Sequence, residues 1–462
     1  MLDVAIIGAG IAGLTAAWKI KSSMPHAKLA VFERSPRPGG KIHSFRHRGF
    51  LIEAGPDSFL TRKSAGVELC AELGIAGKLI ARRPEYKRTS IKLDGTLHEL
   101  PEGLSGLVPT DFQALEKSDL LSEAGKNRLA QEISLPVRES AGDESIADFC
   151  TRRFGAQAWA KLFEPLLGGI YAGDGSRLSM QAILPNLIDL EHRYGSVIAG
   201  LKQKSTATTS TPPPFVSFDT GLHVLVDALV QEIGSEHFYT RNAIADLIRT
   251  DDHFTILAQS GKRFDTRTVL LAIPAPNVAK LTSQLSPQLA RMHRNITYSL
   301  SAVVVLGYSD ASTLPSFNGY GYVIPRIEQS DILACSWASQ KWPGRAKNGA
   351  TLLRVFIRGD GNTDVRNAAD DLLYERAHKE LAATVGITSK PDCRFAFRWP
   401  AGIPQFTPGY LQKLGEIKTL CATIPGLYFA GAAYAGPGIP DCIRSGRTAA
   451  GEIVKALESN FG

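Results

Sequence analysis

Three features of the 462-residue sequence predict an α/β fold. The chain opens on a strand, a glycine turn, a helix and a second strand, "LDVAIIGAGIAGLTAAWKIKSS" and then "KLAVFER". It closes on a strand and a helix, "GLYFAGAA" and "DCIRSGRTAAGEIVKAL". Between these lie a largely helical block, roughly 110 to 205, and then a run of alternating β segments. Together they describe a discontinuous, Rossmann-like nucleotide-binding domain, interleaved with a helical domain and a mixed-sheet domain.

The elements follow in order. Val4 to Ile7 read as a buried strand, a helix begins near Ile11, and residues 28 to 34 supply the second strand of a β-α-β unit. "DFQALEKSDLLSEAGKNRLAQEI" and "SIADFCTRRFGAQAWAKLFEPLLGGIYAG" read as helical. The polar stretch "QKSTATTSTPPPF" (203 to 215) is the linker candidate. A helix, "GLHVLVDALVQEIG", and short strands ending in "TVLLAIPA" follow, then "SAVVVLGY", "TLLRVFIRG" and a helix near 366 to 385. The boundaries expected are 1–95, 215–290 and 395–462 for the nucleotide-binding domain, with part of 50–95 reaching a substrate pocket. Residues 96–214 form the helical domain and 291–394 the substrate-binding domain.

Composition excludes several classes. Hydrophobic content of 44% and charged content of 21% are ordinary for a globular chain. The net charge of +7 suits anionic small molecules or an anionic membrane surface, but is too diffuse for nucleic acid. Cys70, Cys150, Cys335, Cys393, Cys421 and Cys442 are scattered, which argues against structural zinc and a disulfide framework. No metal site is expected. "MLDVAIIGAG" carries no leader pattern and no apolar run reaches membrane-spanning length, so the expected location is cytoplasmic, with peripheral membrane contact left open.

The turn Gly8, Ala9, Gly10, Ile11, Ala12, Gly13 has G-x-G-x-x-G spacing between a strand and a helix. Gly8 permits the tight turn, Gly10 lets backbone approach a pyrophosphate, and Gly13 allows close packing. The helix N-terminus then meets the negative charge. Glu33, with Arg34 beside it, ends the second strand twenty residues after Gly13, where a carboxylate can accept hydrogen bonds from ribose hydroxyls. Gly39 and Gly40 add a second close-approach site, and Lys41 is available to a phosphate or flavin oxygen. A nicotinamide dehydrogenase does not require that second pair.

The E-R-x-x-x-x-G-G arrangement resembles the flavin amine oxidase superfamily, which includes monoamine oxidases, phytoene desaturases and protoporphyrinogen oxidases. "LYFAGAAYAGPGIPDCIRSG" is similar to that family's closing FAD motif. There a strand delivers Gly431, and Gly438, Ile439 and Pro440 lead a helix whose N-terminus faces the flavin ring. The resemblance implies FAD, and no Ser-Gly-Gly-Cys context is present, so the FAD is expected to be non-covalent. A single dinucleotide fingerprint points to oxygen or another acceptor rather than NADPH.

Within the superfamily the chain resembles bacterial protoporphyrinogen and coproporphyrinogen oxidases over essentially its full length. The matching stretches are "EAGPDSFLTRK", "GLVPTDFQALEKSDLLSEAGKNRL", "FEPLLGGIYAGD", "LSMQAILP", "SFDTGLHVLVDAL" and "GPGIPDCI". By that resemblance Gly55, Pro56, Asp57 and Ser58 lie along the isoalloxazine, and Phe59 and Leu60 face an apolar macrocycle pocket. Arg62 or Lys63 anchors a propionate, Trp399 lies near the flavin, and Ile244 contacts adenine through its backbone. A core tryptophan and a buried strand residue are equally good readings of the last two.

The implied reaction is oxidation of a porphyrinogen to the porphyrin in heme biosynthesis. Hydride passes from a doubly activated methylene to flavin N5, and oxygen is reduced to hydrogen peroxide. No catalytic general base is assigned. The "GPDSFLTRK" form and the basic balance resemble the soluble coproporphyrinogen-using branch. Implied partners are the porphyrinogen, oxygen and, transiently, the next enzyme of the pathway. A flavin amine oxidase, a carotenoid desaturase and a non-catalytic flavin-binding protein remain as alternatives.

Overall fold

The computed structural model describes residues 1–86, 88–139, 142–205 and 213–461. The linker candidate therefore lies partly outside the described residues. The first strand, Leu2–Ile7, is flanked in parallel by Leu29–Phe32 and Arg263–Leu271. Its "VAII" run is buried throughout, as a strand covered on both sheet faces requires. Phe238–Tyr239 extends the sheet beyond Leu29–Phe32. The long strand Arg263–Leu271 divides its pairing. Its first half meets the antiparallel hairpin Ile244–Arg249 and Phe254–Ala258, and its second half runs parallel to Leu427–Phe429.

Helix Ile11–Ser23 packs on the C-terminal helix, Ile439–Phe461, through small residues. A Cβ on Gly13 would lie 2.0 Å from the Gly8 carbonyl oxygen, and one on Gly446 would lie 2.3 Å from that of Ala12. Chain start and chain end thus form one layer, as the sequence pattern predicts.

The helical block breaks where its caps and glycines dictate. "DFQALEKSDLLSEAGKNRLAQEI" gives Phe112–Glu116 and Glu123–Ala130 rather than one helix, because Ser122 accepts from the Gly125 N–H and starts a new one. The next segment stops after Phe154, where Gly155 has φ +96°, and helix Glu164–Tyr171 completes it. Phe149, Phe154, Phe163 and Leu190 form its core.

The second sheet runs in the order Cys393–Trp399, Ser301–Tyr308, Thr351–Arg358, Ile332–Trp337, Gly321–Val323, Ser90–Leu93, Thr96–Glu99. The hairpin over 90–99 and the strand Cys393–Trp399 therefore straddle the boundaries expected at 95 and 395. Helix Glu164–Tyr171 packs over Gly321–Val323 and Ile332–Trp337, so the helical block faces this sheet from one side.

Candidate functional site

The glycine turn is built as a cradle. Gly8 has φ +105°, and a Cβ there would lie 2.6 Å from the Ala272 carbonyl oxygen. Gly10 caps helix Ile11–Ser23 with no side-chain hydrogen bond, and a Cβ on it would meet nothing within 4 Å. That clearance stands beside a helix start whose first N–H groups have no side-chain cap, the arrangement an anion needs. The second glycine pair closes on the first. The Gly39 N–H donates to the Ala9 carbonyl at 2.7 Å, and a Cβ on Gly40 would lie 3.2 Å from the Gly10 Cα. Arg37, which the sequence reading did not single out, laces this second loop by donating to the carbonyls of Pro38, Gly40 and Ile42. An arginine two residues before a glycine pair is the only signal it carried.

Glu33 has partners within the protein. Its carboxylate accepts from the Ala9 N–H at 3.0 Å and from the Ser35 N–H at 2.8 Å, so it ties the glycine turn to the end of the second strand. Arg34 is exposed. The backbone before Ile244 runs alongside, with the Asn242 N–H donating to the Glu33 carbonyl and the Arg241 N–H to that of Ser35. Ile244 itself pairs with Ala258 at the sheet edge.

Lys41 leads from the glycine pair to the Gly55 turn. A Cβ on Gly55 would lie 2.2 Å from the Lys41 carbonyl oxygen and 3.6 Å from Trp399 Cζ2. Lys41 donates to the Gly402 carbonyl, and burial lowers its ammonium to about 8. Trp399 Nε1 donates to the Ala54 carbonyl at 2.9 Å, and Arg354 donates to that of Gly55. Pro56 is half-buried. Asp57 is buried and accepts from Lys341 Nζ at 3.1 Å and from Ser58 Oγ at 2.7 Å, with Arg354 Nη1 at 3.1 Å. Burial alone would raise its pKa, but Lys341 and Arg354 outweigh it and hold the carboxyl well below the usual range. Lys341 and Arg354 were not expected from the sequence. Period-2 alternation in "TLLRVFIR" did mark Arg354 as facing one side of an otherwise apolar strand.

The closing motif joins the same groove. Gly431 has φ +122°, its N–H donates to Ser445 Oγ at 2.9 Å, and a Cβ on it would approach Ala12 Cβ at 4.0 Å. Gly438 and the buried Ile439 and Pro440 open the C-terminal helix, where Asp441 lies in the first turn. Lys63 Nζ pairs with Asp441 Oδ2 at 2.6 Å, so its charge is engaged by the protein. Arg62 is exposed. Phe59 lies in the nucleotide-domain core, where a Cβ on Gly66 would be 2.9 Å from its ring. Leu60 is half-buried on the opposite face of the short strand Phe59–Leu60.

Beyond the turn the second sheet presents a floor. Register places Ile91, Val323, Ala334, Phe356, Val303 and Phe397 in one row on one face. Ile91 at one end is fully buried, whereas Val323, Ala334 and Phe356 are half-buried. Helix Glu164–Tyr171 lies above, and its Ile170 is 52% exposed. A Cβ on Gly169 of that helix would lie 3.4 Å from Val323 Cγ1, so roof and floor meet there, and the half-buried Ala334 and Phe356 beside it leave apolar surface that a flat apolar body could cover.

A model of the family described as flavin containing amine oxidoreductase matches residues 11–454. The chain belongs to that family. It is a flavin oxidoreductase, its cofactor is FAD, and the open face at Gly10 and the uncapped helix start fit that group. The chain is 31% identical to the coproporphyrinogen III oxidase of Bacillus subtilis over 467 residues, covering 99% of this chain and 98% of that one. It is 27% identical to the chloroplastic protoporphyrinogen oxidase of Nicotiana tabacum, covering 99% and 86%. A crystal structure from Exiguobacterium sp. 255-15 superimposes with a TM-score of 0.88 at 30% identity over 99% of both chains. Cyclohexylamine oxidase from Brevibacterium oxydans shares the fold, with a TM-score of 0.71 at 16% identity. Among the described residues no helix is long and apolar enough to cross a membrane, and no group of His, Cys, Asp or Glu is placed to hold a metal.

Proposed function

We propose that this enzyme oxidises a porphyrinogen to the porphyrin, with coproporphyrinogen III preferred, non-covalent FAD, and oxygen as the acceptor reduced to hydrogen peroxide. The observation that carries the reading is the half-covered apolar floor of Val323, Ala334 and Phe356, which adjoins the Gly55 turn and Trp399. End-to-end similarity to porphyrinogen oxidases supports it.

Bound FAD supplies a hydride acceptor. The residues of the chain hold and orient. The Gly8–Gly13 turn and its helix start would hold the pyrophosphate, and the Gly39–Gly40 loop would admit close backbone approach. Trp399 and Arg354 pin the carbonyls of Ala54 and Gly55, so the turn beside the reacting ring is rigid before substrate arrives. The floor and helix Glu164–Tyr171 orient the macrocycle and exclude water. A bridging methylene between two pyrroles is already activated, so positioning is the protein's main task and no general base is assigned.

Non-covalent attachment is supported by Cys442. It is buried, burial pushes its thiol up to about 12, and it lacks the low pKa of a reactive cysteine. Of the two expected propionate anchors, Lys63 is paired with Asp441, and Arg62 is exposed. An aerobic assay with coproporphyrinogen III and protoporphyrinogen IX tests the reading. Porphyrin fluorescence should grow with three peroxide molecules per porphyrin, since six electrons leave the macrocycle and each oxygen takes two, and faster for the more carboxylated substrate. No porphyrin from either would overturn it.

A further inference from the structure

The strand Thr351–Arg358 turns Leu352, Arg354, Phe356 and Arg358 to one face. Leu352 and Phe356 pack there, and Arg354 commits both terminal nitrogens, to Gly55 and to Asp57. Arg358 is different. It is 5% exposed, and its Nε and Nη2 have no hydrogen-bond partner among the described residues.

The surrounding charges do not engage it. Burial lowers its pKa and Arg326 lowers it further, while Asp360, Glu164 and Asp331 oppose this. Each of those acids is held by other donors. Glu164 accepts from the Arg326 N–H at 2.9 Å, Asp360 accepts from Arg326 Nη2 at 2.8 Å, and Asp331 accepts from the Asn362 N–H and Thr363 Oγ1, both at 2.6 Å. A buried guanidinium with unmet donors is costly unless something pairs with it.

Register shows which face of the sheet carries it. Ser301 stands opposite both Trp399 and Arg358, so all three share the face that carries the floor. Arg358 is one row along from Phe356 and four residues from Arg354, roughly 13 Å at the rise of an extended strand. We propose that Arg358 anchors a carboxylate of the macrocycle at the edge of the floor, one row beyond Phe356 and two strands across from Trp399. This rests on the porphyrinogen reading of the pocket. A planar guanidinium offers a carboxylate two parallel N–H bonds, and within this apolar surround such a pair discriminates strongly against an uncharged substituent.

The test compares wild type, Arg358→Gln and Arg358→Lys. Each is assayed with coproporphyrinogen III, and each is titrated with coproporphyrin III and its tetramethyl ester, which lacks carboxylates. Wild type should bind the acid more tightly than the ester. Arg358→Gln should raise KM for coproporphyrinogen by about 10- to 100-fold with kcat little changed and FAD content intact, and should lose most of the acid-over-ester preference. Arg358→Lys should recover part of both. Wild-type constants in a folded, FAD-replete Arg358→Gln would overturn the assignment. So would failure of both variants to fold, which would mark the residue as structural. Failure of wild type to oxidise any porphyrinogen would instead overturn the reading of the pocket.

Discussion

The helical block and the Gly55 turn both bury ions, but they treat them differently. In the helical block Arg153 and Glu132 are fully buried and paired. Glu132 also accepts from Ser196 Oγ and from the N–H groups of Val197 and Ile198, capping the helix that follows. Arg153 spends its remaining donors on the carbonyls of Leu135, Pro136 and Gly195. That network is closed. Beneath the turn, Glu53 and Asp57 face Lys341, Arg345 and Arg354, and Arg82 lies near enough to act on Asp57. The Nε atoms of Arg345 and Arg354 are buried without partners among the described residues. Four cations meet two carboxylates, and donors are left over. Closed ionic networks build a domain; an open, cationic one beside a pocket has capacity for an anion.

The largest expected effect breaks the closed network. Arg153→Met removes one partner of a fully buried pair and strands Glu132, at a cost of about 3–5 kcal/mol. Urea unfolding monitored by circular dichroism should show the loss, while protein that remains folded should keep its FAD. Unchanged stability would mean that the helical block does not depend on this pair.

Arg354→Gln sharpens the contrast from the other side. It gives up the Gly55 carbonyl and one partner of Asp57, but Lys341 remains, so the charge is not stranded. The expected loss is about 1.5–3 kcal/mol in kcat/KM for porphyrinogen, larger than the loss of folding stability. A variant that loses stability but keeps wild-type kinetics would make the two networks alike.

The smallest effect is a pH dependence at Lys41, whose ammonium is lowered to about 8 by burial. Below that pH it is charged and favours an anionic cofactor. Above it the charge is lost, so FAD affinity of the apoprotein should fall as pH rises through about 8, by at most about tenfold per pH unit for one linked proton. Stability of the apoprotein runs the opposite way. The unfolded chain holds the proton up to 10.5, so stability should rise between about 8 and 10.5. Lys41→Met should flatten both curves, and a Lys41→Met curve like wild type would assign the dependence elsewhere.

Much of this was legible because it is local. The glycine turn, its flanking strands and the closing helix follow from spacing and apolar runs within about twenty residues. The surroundings of Phe59 and Lys63 were not legible, for a non-local reason. Phe59 is buried by Gly66 and the nucleotide-domain core, and Lys63 meets Asp441 near the far end of the chain. The pocket floor was not legible either, since Val323, Ala334 and Phe356 share a row only through sheet register. Lone arginines in the apolar strand Thr351–Arg358 were the available clue to Arg354 and Arg358.

The most direct measurement is an anaerobic addition of coproporphyrinogen III to the purified, FAD-replete enzyme, following flavin absorbance and porphyrin fluorescence together. In a porphyrinogen oxidase the flavin bleaches on addition, because each FAD takes two of the six electrons that full oxidation removes, and admitted oxygen restores the flavin colour while porphyrin fluorescence grows. A flavin that stays oxidised in the presence of excess porphyrinogen would contradict that function.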